Sequence, residues 1–291
     1  MREQTLTGIV EARATRPESI AAAARTRTPA SSWAGGRLML VAADHPARGS
    51  LAVGTRAMAM ANRRDLLDRL VLALSRPGVD GVLGTPDILE DLLLLGALEG
   101  KVVIGSMNRA GIPGTAFEID DRFTAYDAGA LTADGFDGGK MLLRIDPSDP
   151  ATADTLQSCA DAVGDLADAG LMAMVEPFWV RRDAAGRALN DLSPDAMIRA
   201  IAVAQALGRT SAYTWLKVPV VAEMERVMEA STLPALLLGG DPGGVPPEEA
   251  FTAWQKALTL PTVRGLVVGR TLLYPPDDDV AGAVDTAVSL L

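Results

Sequence analysis

Residues 213–221 read YTWLKVPVV, an apolar run that a single lysine, Lys217, interrupts. Seven further short apolar runs occur along the chain, and longer amphipathic stretches separate them. These runs span residues 37–43, 80–84, 101–105, 140–145, 171–175, 234–239 and 264–268. Apolar strands that alternate with helices predict a parallel sheet that is covered on both faces. Eight such units favour an α/β protein with a closed (β/α)8 TIM barrel.

The amphipathic stretches predict the helices of this barrel. They span residues 55–75, 87–98, 152–169, 194–207, 221–230, 247–258 and 278–290. An open doubly wound sheet is the alternative, but the Gly-x-Gly-x-x-Gly turn typical of its dinucleotide-binding form does not follow residues 37–43. We therefore expect residues 37–291 to form a barrel domain and residues 1–36 to form an N-terminal extension, with a helix over 18–25.

Composition excludes several classes of protein. The chain of 291 residues has 27 Lys and Arg against 37 Asp and Glu, which gives a formal net charge of −10. A nucleic-acid partner is not expected, because phosphate neutralisation needs a basic surface. No stretch reaches the ~18 uncharged apolar residues of a membrane span, and no apolar leader follows Met1. We therefore expect a cytoplasmic protein without a membrane partner.

Two residue types restrict the chemistry further. The chain has one cysteine, Cys159, and one histidine, His45. One cysteine excludes an intramolecular disulfide and a Cys-rich zinc site, and one histidine excludes a multi-histidine metal site. We expect neither a metal nor an organic cofactor.

Active sites of barrels lie at the carboxyl ends of the strands, so the polar residues there are the candidates for function. These residues are Asp44, His45, Asn108, Arg109, Arg144, Asp146, Glu176, Lys217, Gly239, Gly240, Asp241, Gly269 and Arg270.

Lys217 is the most informative of these residues, because the chain has only four lysines and this one interrupts an apolar strand. A desolvated lysine near another cation has a lowered pKa, and the neutral amine can form a Schiff base with a carbonyl. The alternative is a strand-end lysine that pairs with a carboxylate. Glu176 lies on the same strand face as Met172 and Met174. It could move protons, or it could be a structural partner of a lysine.

Three other charged residues could complete the site. Asp44 could hold a lysine or bind a sugar hydroxyl, or it could cap a turn. Lys140 and Arg144 lie four residues apart on one strand and so face the same side. Lys140 is a candidate for the second cation, unless it is a solvated strand start. Arg144 could anchor a substrate carboxylate or phosphate, or it could pair with Asp146.

The last two strands end in glycines that predict an anion site. Gly239 and Gly240 precede Asp241, and Gly269 precedes Arg270. Glycines let backbone N–H groups approach a phosphate, and the loops after strands seven and eight are the usual phosphate site of a barrel. We expect His45 to make a hydrogen bond to the substrate.

Five short motifs, in order, resemble those of the class I Schiff-base aldolases of the deoxyribose-phosphate, archaeal-type fructose-bisphosphate and tagatose-bisphosphate families. The motifs are Ala43-Asp44-His45 with Arg48-Gly49-Ser50-Leu51, Lys140-Met141-Leu142-Leu143, Glu176-Pro177, Leu216-Lys217-Val218-Pro219 and Gly269-Arg270. The fructose-bisphosphate branch has a tyrosine acid/base on the fifth strand, whereas this chain has Glu176 and then Phe178. The overall pattern also resembles a deoxyribose-phosphate-aldolase-like group associated with inositol breakdown.

The resemblance implies a role for each candidate residue. Lys217 would form the imine, Glu176 would move protons, and Asp44 and Lys140 would be their electrostatic partners. The residues implied to bind phosphate are Gly239, Gly240, Gly269 and Arg270. The implied activity is aldol cleavage of a phosphorylated keto sugar or sugar acid by a protein that assembles with copies of itself.

For the inositol-associated group, a candidate substrate is 2-deoxy-5-keto-gluconate 6-phosphate, which is cleaved to dihydroxyacetone phosphate and malonate semialdehyde. Arg144 could then meet its carboxylate. Two other functions remain open from sequence: a phosphosugar isomerase or metal-dependent aldolase, and a non-catalytic sugar-phosphate-binding barrel.

Overall fold

Eight parallel strands form a closed barrel in the computed structural model, which describes residues 3–31, 33, 35–109, 111–240 and 247–291. The barrel strands are β1 (Leu38–Ala42), β2 (Gly81–Gly84), β3 (Val102–Ser106), β4 (Gly138–Ile145), β5 (Met172–Arg182), β7 (Thr214–Pro219), β8 (Ala235–Leu238) and β9 (Val263–Val268). Each strand pairs with the next along the chain, and β1 pairs with β9 to close the sheet. The predicted (β/α)8 TIM barrel is confirmed, and all eight predicted apolar runs form its strands.

Helices cover the outer face of the barrel. They are α1 (Glu3–Thr15), α2 (Glu18–Thr26), α3 (Arg63–Ser75), α4 (Pro86–Leu94), α5 (Ala128–Ala133), α6 (Ala151–Asp168), α7 (Pro194–Ala204), α8 (Met224–Met228), α9 (Pro247–Ala257), α10 (Arg270–Leu273) and α11 (Val280–Ser289). A layer of buried aliphatic side chains lies between these helices and the strands, and it includes Leu67, Leu92 and Leu216. Cys159 on α6 is fully buried in this layer.

Two features of the outer elements differ from the sequence prediction. The helix predicted over 55–75 begins at Arg63, because the side chain of Asn62 accepts the backbone N–H of Asp65 and caps the helix there. An additional short strand, β6 (Ala188–Asp191), pairs antiparallel with the last four residues of β5. The resulting hairpin extends beyond the barrel at the carboxyl ends of the strands.

The N-terminal extension contains two helices, of which only α2 corresponds to the predicted one. The segment after α2 reaches the interior of the barrel, where Trp33 packs edge-on against Trp215 with ring centroids 6.0 Å apart. Trp215 belongs to an inner layer of apolar side chains near the amino ends of the strands. Other members of that layer include Leu38, Leu40, Val102, Ile104, Met172, Met174 and Leu236. The interior is therefore filled at that end, and polar chemistry is restricted to the opposite end.

Candidate active site

Strand periodicity places three charged side chains inside the upper barrel. Met174 and Trp215 are in the apolar inner layer, so Glu176 and Lys217, two residues further along β5 and β7, face the same interior. Lys140 enters from β4. Asp44 and His45 follow β1 after one intervening residue, Ala43. The strand ends thus bring the four predicted catalytic residues, Asp44, Lys140, Glu176 and Lys217, into one buried cluster.

A chain of ion pairs connects these four side chains. Lys217 Nζ lies 3.1 Å from Glu176 Oε1, and Lys140 Nζ lies 2.5 Å from Glu176 Oε2. Lys140 Nζ also donates to Asp44 Oδ2 at 2.9 Å. Lys217 and Lys140 are 3% and 2% exposed. Both lysines are therefore desolvated. Among the described residues, Lys140 has two carboxylate partners and Lys217 has one.

Burial and the two lysines shift the pKa values of the acids. Burial alone would raise the pKa of Asp44, but Lys140 and Lys217 outweigh it and hold the pKa well below its usual range. The same competition lowers the pKa of Glu176 to about 2. Both carboxylates are consequently ionised at neutral pH.

The ammonium form of Lys217 is disfavoured in this setting. Burial lowers the pKa of Lys217 from its usual value; the Glu176 carboxylate opposes this shift and the charge of Lys140 adds to it. A lysine with a lowered pKa supplies a larger fraction of neutral amine at neutral pH, and the neutral amine is the nucleophile in imine formation. The arrangement is therefore suited to covalent chemistry on a carbonyl.

The cluster lies at the base of a cavity of about 460 Å³ that opens at the carboxyl ends of the strands. The ten residues predicted to act in catalysis or in substrate binding all line it: Asp44, His45, Lys140, Arg144, Glu176, Lys217, Gly239, Gly240, Gly269 and Arg270. Asp241, which sequence placed beside the anion site, lies outside the described residues. The cavity is large enough for a small phosphorylated metabolite.

One side of the cavity has the geometry of an anion site. A side chain at Gly269 would place its Cβ 2.4 Å from the carbonyl oxygen of Ala42, so only glycine fits there. Gly240 has a φ of +67°, a conformation that glycine adopts readily. Arg270 begins α10 beside these glycines and donates to the carbonyl of Ala52 at 3.4 Å. Backbone and guanidinium groups thus line the same wall.

His45 is placed between this wall and the ion-pair cluster. Its Nδ1 lies 3.8 Å from Asp44 Oδ1, and Nδ1 has no hydrogen-bond partner among the described residues. Burial lowers the pKa of His45 to about 4; Asp44 opposes the shift and the charge of Arg270 adds to it. The imidazole is therefore neutral at physiological pH and can donate or accept one hydrogen bond through each nitrogen.

Arg144 lies at the mouth of the cavity and pairs with Glu118, not with Asp146. It also donates to the side chain of Asn190 at 3.1 Å and to the carbonyl of Ala188 at 3.2 Å. Asp146 instead accepts from Arg182 at 2.6 Å. Arg144 therefore joins the loop that carries Glu118 to the β5–β6 hairpin.

Sequence reasoning missed four polar residues of the cavity wall as candidates: Arg48, Ser50, Glu118 and Asn190. The Arg48-Gly49-Ser50 motif after β1 was the signal for two of them. Arg48 is buried and pairs with Asp121 at 2.6 Å. Glu118 and Asn190 lie in segments without an apolar repeat, so the sequence pattern gives no signal for them.

No group of three or more His, Cys, Asp and Glu side chains in the described part of the chain is arranged to hold a metal ion. None of the helices in the described segments is both long and apolar enough to cross a membrane.

Comparisons with known proteins show both close and distant similarities. The family described as Cgl0159-like matches residues 36–288. Cgl0159 from Corynebacterium glutamicum shares 53% sequence identity with this chain, and its crystal structure superimposes with a TM-score of 0.96. The alignment covers 100% of this chain and 97% of that one. A search of curated proteins finds no match.

The distant similarities are to fructose-bisphosphate aldolases. A Schiff-base-forming fructose-1,6-bisphosphate aldolase has a TM-score of 0.65 at 17% identity, with 93% of this chain and 99% of that one covered. A fructose-bisphosphate aldolase from Slackia heliotrinireducens has a TM-score of 0.61 at 15% identity, with 88% and 85% covered. At these identities the similarity establishes a shared barrel fold.

Proposed function

We propose that this chain, which belongs to the Cgl0159-like family, is a class I aldolase that cleaves a phosphorylated keto sugar or sugar acid. The observation that carries the proposal is the buried cluster in which Glu176 bridges Lys217 and Lys140 at the base of an open cavity. A structural ion pair needs one lysine. When two lysines share one carboxylate, the ammonium form is disfavoured at the lysine that has fewer carboxylate partners, which here is Lys217.

The proposed reaction begins when the neutral amine of Lys217 attacks the substrate ketone. The carbinolamine that forms loses water, after Glu176 and the nearby groups transfer the necessary protons, and leaves an iminium ion on Lys217. The hydroxyl on the β-carbon then loses its proton, the carbon–carbon bond breaks, and its electron pair enters the iminium to give an enamine and a free aldehyde. Protonation of the enamine and hydrolysis release the ketone product and regenerate Lys217.

Asp44 and Lys140 would fix Glu176 in position for these proton transfers. The Lys140 ammonium contacts both carboxylates, which keeps the Glu176 carboxylate oriented toward Lys217. Because the groups are held in advance by strands, little reorganisation is needed during the reaction.

The anion wall would bind the substrate phosphate. Gly239, Gly240 and Gly269 leave backbone accessible to an anion, Arg270 supplies a positive charge, and neutral His45 can donate a hydrogen bond. Binding energy from the phosphate would orient the ketone against Lys217.

At the finer level, we propose 2-deoxy-5-keto-gluconate 6-phosphate as a candidate substrate, with dihydroxyacetone phosphate and malonate semialdehyde as products. The cavity supports a substrate with an anion at each end, because Arg270 lines one wall and Arg144 lines another. Arg144 would then bind the carboxylate of the sugar acid, and this carboxylate would displace Glu118, the present partner of Arg144.

Reductive trapping tests the proposed chemistry. Sodium borohydride treatment in the presence of dihydroxyacetone phosphate should add one ligand-sized mass to the protein, and peptide mapping should find it on Lys217. Lys217→Met should abolish the adduct. Lys256→Met is the matched control, because Lys256 has a side chain that is 75% exposed and lies on α9, away from the cavity.

Two results would contradict the proposal. An adduct that persists in folded Lys217→Met, or that maps to Lys140, would assign the nucleophile elsewhere. Absence of any adduct with several phosphorylated ketones, in protein shown to be folded, would favour a non-catalytic sugar-phosphate-binding barrel or an isomerase.

A further inference from the structure

Arg109 lies behind Asp44, outside the cavity lining, and is not among the residues proposed above to act on substrate. It follows β3, and its guanidinium is buried: Nη1 lies 3.7 Å from Asp44 Oδ2, and Nη2 donates to the backbone carbonyl of Asp44. Nη1 also donates to Ser106 Oγ at 3.3 Å. The carboxylate of Asp44 is therefore shared between Arg109 and Lys140.

Arg109 differs from its neighbour Arg48 in how its charge is compensated. Arg48 has an aspartate of its own, Asp121, at 2.6 Å. Within 4 Å of the Arg109 guanidinium, Asp44 is the only acid among the described residues, and it also serves Lys140. The Arg109 Nε is buried and has no hydrogen-bond partner in the described part of the chain. A guanidinium whose role was purely structural would be expected to have fuller compensation.

The fully ionised cluster carries more positive than negative charge. Two carboxylates, Asp44 and Glu176, face three cations, Arg109, Lys140 and Lys217. Loss of one proton balances the charges, and without Arg109 the cluster would be balanced with every lysine protonated. A buried excess charge is costly because the low-dielectric interior screens it weakly.

In the described part of the chain, the other acids near Arg109 have cationic partners outside the cluster. Arg48 pairs with Asp121, and Asp87 pairs with Arg63, which it shares with Asp91. On the cavity side, His45 is neutral at physiological pH, and Arg270 adds positive charge near it. The groups that face Lys217 or Arg109 from the surrounding elements are thus Asp44, His45, Arg48, Asp87, Asp121, Lys140, Glu176 and Arg270.

We propose that Arg109 is a positioning residue that keeps Lys217 in its neutral, nucleophilic form. By occupying one side of the Asp44 carboxylate, it supplies the third positive charge of the buried cluster, and the lysine with a single carboxylate partner loses its proton to relieve the excess. This inference rests on the proposed function, because it concerns activation of the same nucleophile.

The protonation behaviour of the surrounding groups is consistent with this role. Burial lowers the pKa of Arg109 to about 10, with Asp44 opposing the shift, so the guanidinium still carries its charge at neutral pH. Burial and Lys140 act together to lower the pKa of Lys217, against the effect of Glu176.

The test is the pH dependence of trapping in the full-length protein. The rate of cyanoborohydride trapping with dihydroxyacetone phosphate is measured from pH 5.5 to 9.5 for wild type and for Arg109→Met, Arg109→Gln and Arg109→Lys. The Gln variant keeps a donor for the Asp44 carbonyl, so the test does not depend on whether the Met variant folds. Circular dichroism and thermal unfolding verify each fold.

We expect loss of the charge to move the midpoint of the profile upward by about one pH unit, which is about a tenfold slower reaction at pH 7. Arg109→Lys, which keeps the charge, should restore the wild-type midpoint. An unshifted midpoint in the Met or Gln variant, or a rate lowered equally at every pH, would overturn the inference. Absence of trapping in the wild type would instead overturn the proposed aldolase function.

Discussion

Each carboxylate oxygen of Glu176 pairs with a different lysine. Oε1 meets Lys217 at 3.1 Å and Oε2 meets Lys140 at 2.5 Å. In the proposed reaction one oxygen exchanges protons with the intermediate on Lys217 while the other stays anchored to Lys140. The glutamate can therefore act as acid and base without changing its position.

Glu176→Gln removes the proton-transfer group and leaves the nucleophile in place. The amide keeps the size of the side chain and loses its basic oxygen, so turnover should fall by about 10²–10⁴-fold, while the borohydride adduct on Lys217 still accumulates over a long incubation. The measurement compares steady-state cleavage of the keto sugar phosphate with the yield of trapped adduct. Equal loss of both would show that Glu176 acts mainly on the state of Lys217.

The same residue should affect stability in acid. The pKa of Glu176 is about 2 in the folded protein, below the value of an unfolded glutamate, so its stabilisation is present above pH ~4.5 and is lost as the pH falls toward 2. The full effect corresponds to about 3 kcal/mol. Urea unfolding at successive pH values from 5 to 3 should therefore show the advantage of wild type over Glu176→Gln shrinking. A constant difference over this range would contradict the depressed pKa.

Strand alternation accounts for what sequence could predict at this scale. A charge in an apolar strand, two residues beyond an inward-facing side chain, faces the interior, and this rule located Glu176. Lys217 was located because it is the lone charge in an apolar run. Arg109 and Glu118 lie in the irregular segment between β3 and α5, where no repeating pattern in the sequence predicts which way a side chain points. Their contacts depend on how that segment folds over the barrel end, which a local pattern does not encode.

The β5–β6 hairpin is the element that most alters the barrel mouth. β5 continues to Arg182, a five-residue turn with Gly186 at a φ of +78° follows, and β6 returns along it. The sequence criterion of a continuous apolar run misses this hairpin, because its outer residues are polar and partly exposed. Arg144 ties the hairpin to the loop that carries Glu118.

Arg144→Met should release these contacts together. Both partners of the Arg144–Glu118 pair are nearly buried, with side chains 12% and 11% exposed, so their loss matters more than loss of a surface pair. We expect faster hydrogen exchange in residues 186–192 and a KM for substrate raised about tenfold or more, the loss of one charge-assisted contact. Arg187→Met is the control, since Arg187 is exposed and pairs with Asp183 in the same hairpin. Unchanged hydrogen exchange in Arg144→Met would show that Arg144 does not hold the hairpin in place.

At the scale of the whole molecule, the N-terminal extension is fastened to the barrel through Asp91. This buried aspartate on α4 accepts from Arg13 on α1 at 2.8 Å and from Arg63 on α3 at 2.8 Å. A single carboxylate thus joins the extension to two helices of the barrel. Sequence predicted an extension with one helix, but the docking depends on residues 78 positions apart, a separation beyond the reach of local patterns.

Asp91→Ala should weaken the whole molecule. It removes the shared partner of two partly exposed arginines, and each of them keeps one other acid, Glu90 for Arg13 and Asp87 for Arg63. We therefore expect a loss of about 1–2 kcal/mol. For a chain of this size the melting temperature should fall by roughly 2–8 °C. Differential scanning calorimetry checks the value, with Asp195→Ala as the exposed control, whose pairing with Arg226 is on the surface. A fall no larger than that of the control would show that the extension is held by its other contacts.

Cys159 provides an internal reporter of how often this molecule opens. Its thiol is fully buried against the outer face of the strands, and burial raises its pKa to about 12. A water-soluble disulfide reagent can therefore react only with molecules whose α6 has moved away from the sheet. Because the chain has one cysteine, the absorbance of the chromophore that the reagent releases reports the opening of one helix, α6, without an added label. Comparing this rate with and without substrate would measure how much a ligand bound in the cavity slows the opening of α6.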